Sequence, residues 1–195
     1  MPMLKRFLVG TFAAILLAPF AATLMARSDH ARVTIEDDCD PATFNAAVGP
    51  GTCVGNGETT FQAFLAELKA TQTVDEWEFD PDELDEVAAG SRVTAENEGG
   101  EAHTFTEVAK FGGGFVGVLN GPSGNPNPAP ECASTVNGNL VPAASALATL
   151  VPSGGELMTG ALKDGTHLFQ CCIHPWMRTV VTVGGDHDRD GGRGR

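Results

Sequence analysis

"GTHLFQCCIHPWMRTVVTV", residues 165–183, places two adjacent cysteines, a histidine and a methionine within seven positions. Such side chains seldom crowd together for packing alone. The stretch reads as a metal site, a disulfide, a reactive thiol, or two of these at once. If it is a strand ending at Cys171, successive side chains point to opposite faces. Cys171 and Cys172 then cannot easily hold the same ion: one faces a site and the other faces away.

From Cys171 the spacing is Cys-x-x-His-x-x-Met, giving Cys171, His174 and Met177. A loop this short can fold three side chains around one point. Thiolate and thioether are soft ligands and imidazole is borderline; two imidazoles, one thiolate and a weak axial methionine suit a copper electron-transfer site. The loop supplies one imidazole, so a second must come from elsewhere. The histidines are His30, His103, His167, His174 and His187. His30 and His187 fall near the ends of the chain. His167 is on the same strand as Cys171 and the same face, but four residues away, about 13 Å. His103, in "AENEGGEAHTFTEV", remains.

Working outward, the chain has 195 residues, a length suited to one domain. Lys5 and Arg6 precede an uncharged apolar run from Phe7 to Met25, followed by polar sequence. This reads as a signal peptide over residues 1–26, with cleavage after Ala26; a permanent membrane anchor is the competing reading. There is no second long apolar run, so no stable membrane span is expected once that segment is removed. Residues 27–195 carry 10 basic against 25 acidic side chains, a net charge of −15. That excess argues against nucleic-acid binding and suits a basic-surfaced protein partner. Export places the chain in the periplasm or outside the cell, where disulfides persist. Five cysteines then leave one thiol over: Cys39, Cys53, Cys132, Cys171 and Cys172. Cys39 and Cys53 flank a Gly/Pro-rich turn and are expected to staple it.

Residues 27–58 read as irregular. Thr59 to Ala70 reads as a helix with a Thr59–Gln62 capping box and an apolar face of Phe61, Phe64, Leu65 and Leu68. Beyond it, short extended runs are broken by Pro81 and Gly90, and "AHTFTEVAKF" alternates. Residues 151–172 look like a hairpin pair, and "RTVVTV" like a last strand. Several short strands with Gly/Pro punctuation indicate an all-β sandwich. The end, residues 185–195, reads as a disordered tail. The Gly-rich "FGGGF" lacks the residues of a phosphate loop or dinucleotide fingerprint.

"GTHLFQCCIHPWM" resembles the C-terminal ligand loop of the cupredoxins, the small blue copper proteins. Its Gly-Thr-x-x-Phe-x-Cys-x-x-His frame is similar to plastocyanin, and the tight spacing that follows to amicyanin. "NEGGEAHTFT" resembles the family's first ligand segment, with an asparagine six residues before the histidine. The resemblance covers roughly residues 77–183 and implies a Greek-key β-sandwich holding one type 1 copper per chain. His103, Cys171 and His174 would be equatorial ligands and Met177 axial. Cys172 departs from the usual small polar residue, and its pairing with Cys132 is expected. The resulting organisation is a signal peptide (1–26), an N-terminal extension with one helix (27–72), a cupredoxin-like domain (73–184) and a tail (185–195). The implied function is a single-electron carrier rather than an enzyme, with copper sequestration or delivery as the alternative. Electrons would pass through an exposed edge of His174 to a protein redox partner. Histidines are too few for a multicopper oxidase cluster.

Overall fold

The computed structural model describes residues 30–184. The expected signal peptide and tail lie outside the described residues, as do the termini of the chain. In chain order the elements are β1 (His30–Glu36), α1 (Pro41–Ala47), α2 (Phe61–Thr71), β2 (Glu78–Asp80), β3 (Glu83–Val87) and β4 (Arg92–Asn97). They continue with β5 (His103–Thr104), β6 (Thr106–Val108), α3 (Gly117–Asn120), β7 (Ala133–Val136), β8 (Asn139–Pro142) and α4 (Ala144–Ala148). The last are β9 (Leu150–Val151), β10 (Glu156–Met158), β11 (Gly165–Gln170) and β12 (Arg178–Val183).

Two four-stranded sheets form the body, in the orders β10-β4-β1-β2 and β3-β12-β11-β6. Each is mixed: β1 runs parallel to β4, and β12 parallel to β3, while the other pairs are antiparallel. Period-two burial explains the packing. Val33, Ile35, Phe79, Val93 and Ala95 from one sheet meet Phe169, Val181 and Val183 from the other in one core. This is the all-β sandwich expected from the sequence. A smaller cluster of Val108, Ala129, Cys132, Ala146 and Cys172 lies apart from it. Cys171 belongs to the main core and Cys172 to the smaller cluster, so the two face apart as expected, although β11 ends one residue before them.

The N-terminal part differs from its reading as an irregular extension with one helix. β1 lies between β4 and β2, with Val33 and Ile35 fully buried, so the sandwich begins at its first described residues and not at 73. A second helix, α1, follows. Asp40 caps it by accepting from the Ala42 and Thr43 N–H groups, and Pro41 opens its first turn, where a missing N–H costs nothing. The cap of α2 is Thr60, which accepts from the Ala63 N–H. Thr59 instead donates its hydroxyl to Asp38 at 2.9 Å, which shifts the helix start by one residue. Of the expected apolar face, Phe64 and Leu68 are buried and Leu65 is exposed.

The expected hairpin over 151–172 does not form. β10 pairs with β4 in one sheet, whereas β11 pairs with β12 and β6 in the other. The connection between them is held along the β3–β4 turn, where the Leu162 N–H bonds the Ser91 carbonyl and the Gly90 N–H bonds the Leu162 carbonyl.

Phe44, Phe64 and Trp77 bind the helices to the sandwich. The Phe44 and Trp77 rings stack at 5.7 Å, and Phe64 lies 4.9 Å from Trp77. All three are nearly fully buried, and each such burial stabilises by about 1.5–3 kcal/mol. A chain starting at residue 73 loses β1 and both helices. It is expected to show no cooperative thermal unfolding transition by circular dichroism; a cooperative melt would restore the boundary at 72.

Candidate metal centre

The loop after β11 is closed by its own backbone. The Cys171 N–H bonds the Met177 carbonyl and the Met177 N–H bonds the His174 carbonyl, both at 3.0 Å. This brings His174 back over Cys171. His103 opens β5, which is paired with β9. Asn97, six residues earlier, shapes the segment between. Its Nδ2 donates to the carbonyls of Glu101 and Val151, and its Oδ1 accepts from the Gly99 N–H.

These elements bring His103, Cys171 and His174 together, their ligand atoms within 4.8 Å of one another and all three side chains buried. Cys171 Sγ stands 3.7 Å from His103 Nδ1 and 3.9 Å from His174 Nδ1, and the two nitrogens are 3.3 Å apart. A point equidistant from the three atoms lies about 2.1 Å from each, within the about 2.0–2.3 Å typical of imidazole and thiolate bonds to a d-block ion. The donor set therefore fits one metal ion. Met177 is 1% exposed and sits in the same core as Cys171. His167 is not part of the group: it contacts Glu107 at 2.6 Å and the Lys163 carbonyl at 2.9 Å. Cys171 is the free cysteine among the described residues, since Cys39 pairs with Cys53 and Cys132 with Cys172, as expected.

The surroundings suit an anionic sulfur. Backbone N–H groups of Thr104 and His174 point at Cys171 Sγ from 3.5 and 3.4 Å. Burial works to raise the thiol pKa, but hydrogen bonds and charge from His103 and His174 outweigh it and hold the group well below its usual range. Burial likewise works to lower the His103 pKa. Asp37 and Cys171 overcome it and raise the imidazole to about 9. For Asp37, burial is outweighed by His103 and by backbone N–H groups, and the carboxyl is held at about 2.

Asp37, just past β1, carries no part in the sequence reading. Its side chain is buried, with Oδ2 2.9 Å from His103 Nε2. The glycine pair of "NEGGE" makes room for it: a Cβ on Gly99 would collide with the Asp37 carboxylate, and one on Gly100 with Cys39 Sγ. A second carboxylate, Glu101, receives the Trp77 indole N–H at 2.9 Å and lies 3.6 Å from His174 Nε2. The sequence signal for Asp37 is slight, because its role depends on a contact 66 residues away.

His174 does not present an exposed edge. It is 3% exposed, with Phe64 of α2 edge-on at 6.1 Å and Trp176 at 5.4 Å. The expectation of a bare histidine fails because the N-terminal helices cover this end of the sandwich.

No protein-family model and no curated protein sequence matches the chain. Among solved structures, a purple cupredoxin from Nitrosopumilus maritimus is 16% identical, over 79% of this chain and 99% of that one, with a TM-score of 0.39. A plastocyanin from Dryopteris crassirhizoma is 19% identical, over 79% and 100% of the two chains, at 0.35. An amicyanin variant in the Cu(I) state is 18% identical, over 55% and 73%, at 0.32. These likenesses are remote; the chemistry of the centre is argued from its own geometry.

In the metal-free protein the lowered Cys171 and the raised His103, 3.7 Å apart, favour a thiolate–imidazolium pair. Linkage fixes the signs. The lowered Cys171 contributes stability that is complete above 9.0 and lost as pH falls through its folded pKa. The raised His103 contributes stability that is complete below 6.5 and lost as pH rises through about 9. Where His103 keeps its proton and Cys171 has given up its own, the two pH slopes offset each other and stability changes little with pH. Ultraviolet thiolate absorption, taken as wild type minus Cys171→Ser, is expected to develop well below pH 9 in the metal-free protein. Absorption that appears only near pH 9 would contradict the pair.

Proposed function

We propose that this chain is an exported type 1 copper protein acting as a single-electron carrier, with His103, Cys171 and His174 as equatorial ligands and Met177 as the axial one. The observation that carries the reading is the buried triangle of one sulfur and two Nδ1 atoms, sized for a single ion. Copper bound there would supply the one-electron Cu(II)/Cu(I) couple.

The chain's own residues do the rest. Cys171 presents its sulfur as an anion, steadied by two backbone N–H groups. His103 is anchored from behind by Asp37, and His174 by the closed loop. Ligands held this way move little between oxidation states, which keeps the rearrangement accompanying electron transfer small. Phe64 and Trp176 keep water from His174. Trp176 is only partly buried, so the route we assign to the electron runs from His174 through the Trp176 indole to the surface. The acidic surface suits docking of a basic redox partner. Residues 1–26 would direct export to the periplasm or exterior, a setting in which two disulfides persist. Ligands buried to this extent favour retention of the ion over its delivery to another protein.

Copper added to the protein lacking residues 1–26 is expected to give an intense thiolate-to-copper visible band. Cys171→Ser abolishes it. Cys172→Ser keeps it while removing the bond to Cys132, at a cost of about 2–5 kcal/mol in stability. A band that survives in Cys171→Ser, or disappears only in Cys172→Ser, refutes the assignment.

A further inference from the structure

Resting on the copper reading, we propose that Asp37 is a positioning residue for the metal centre and that, together with Glu101, it biases the centre towards the cupric state. Both imidazoles turn Nδ1 to the ion site, and behind each a buried carboxylate faces the far nitrogen. Asp37 Oδ2 is 2.9 Å from His103 Nε2, and Glu101 Oε2 is 3.6 Å from His174 Nε2.

The hydrogen bonds of Asp37 fix its state. Oδ1 accepts from the Cys39 and Gly100 N–H groups, at 3.2 and 3.0 Å. Oδ2 accepts from the Glu101 N–H and faces His103 Nε2, both at 2.9 Å. Four nitrogens converge on two oxygens, an arrangement that suits an acceptor-only carboxylate and has no place for a carboxyl proton. The proton on the 2.9 Å contact is therefore carried by His103 Nε2, and Nδ1 is the nitrogen left to bind metal. A carboxylate pulling on the far N–H raises the basicity of the ligating nitrogen, which favours the more highly charged ion.

Glu101 acts by charge. Its distance from His174 Nε2 is too long for a hydrogen bond. Its position is nevertheless fixed by the Trp77 indole, which donates to the same oxygen at 2.9 Å. Side-chain exposure is 0% for Asp37 and 8% for Glu101, so solvent and salt screen neither charge well. One thiolate and two carboxylates then surround the ion. A cupric ion leaves this buried group closer to neutrality than a cuprous one, so removing either carboxylate raises the reduction potential.

The test is the reduction potential of copper-loaded wild type, Asp37→Asn and Glu101→Gln. Each substitution is expected to shift the balance towards Cu(I) by about tenfold, which is about 59 mV for one electron. Asp37→Asn should give the larger shift. A loss of melting temperature with both potentials within about twofold of wild type in equilibrium, about 18 mV, would reduce the carboxylates to a structural role and overturn the inference. An asparagine amide must set an N–H against one of the four donors, so this variant can fail to fold. The wild type then decides by 15N NMR of its imidazoles, metal-free or Cu(I)-loaded. A slowly exchanging proton on His103 Nε2 is expected; an unprotonated Nε2 overturns the positioning role. If wild type lacks the intense visible band, the copper reading falls, and the NMR result still decides whether Asp37 sets the nitrogen that His103 offers.

Discussion

One sulfur and two imidazole nitrogens, 3.3 to 3.9 Å apart and shut away from water, set the conditions the rest of this fold has to meet. Buried polar groups are costly unless each has a partner. Here the partners come from every side. Cys171 receives two backbone N–H groups, His103 leans on Asp37, and Asn97 fastens the segment that leads to His103. The two disulfides pin the same end of the molecule. One fixes Cys172, the neighbour of the free thiol; the other holds the segment that follows Asp37. The ligand geometry is thus a property of the whole sandwich and not of one loop, since His103 and Cys171 are 68 residues apart in sequence.

The N-terminal segment turns out to be part of the centre. β1 lies inside a sheet, the residue that follows it is Asp37, and α2 lays Phe64 over His174. A site open at one histidine exchanges electrons through that edge. With the proposed electron-carrier role, a site closed in this way would use a neighbouring group, and Trp176 is the ring that both packs on His174 and is partly exposed. The two carboxylate side chains are also withdrawn from bulk water, so in the proposed copper form their charges would act on the ion with little screening.

Much of this was written locally and could be read there. The Cys-x-x-His-x-x-Met spacing fixed one side of the site, alternation separated Cys171 from Cys172, and the shortage of interior histidines pointed to His103. The strand pattern of β1 was also present, with Val33 and Ile35 alternating with polar residues, and Asp40-Pro41 is a helix start in its own right. Both signals are masked by the Gly, Pro and Asp residues that crowd positions 37–57. Other features had no local signature. Asp37 is one of 25 acidic residues until the chain folds it against His103. The burial of His174 depends on a helix more than a hundred residues earlier. The glycines of "NEGGE" carry no local mark of their role, which is to admit a carboxylate and a disulfide.

The most direct measurement is X-ray absorption at the copper edge of the loaded protein lacking residues 1–26. Copper held at this centre is expected to show one sulfur and two imidazole nitrogens on the same ion, at about 2.0–2.3 Å. A first coordination shell of nitrogen and oxygen alone, with no short sulfur distance, would contradict it.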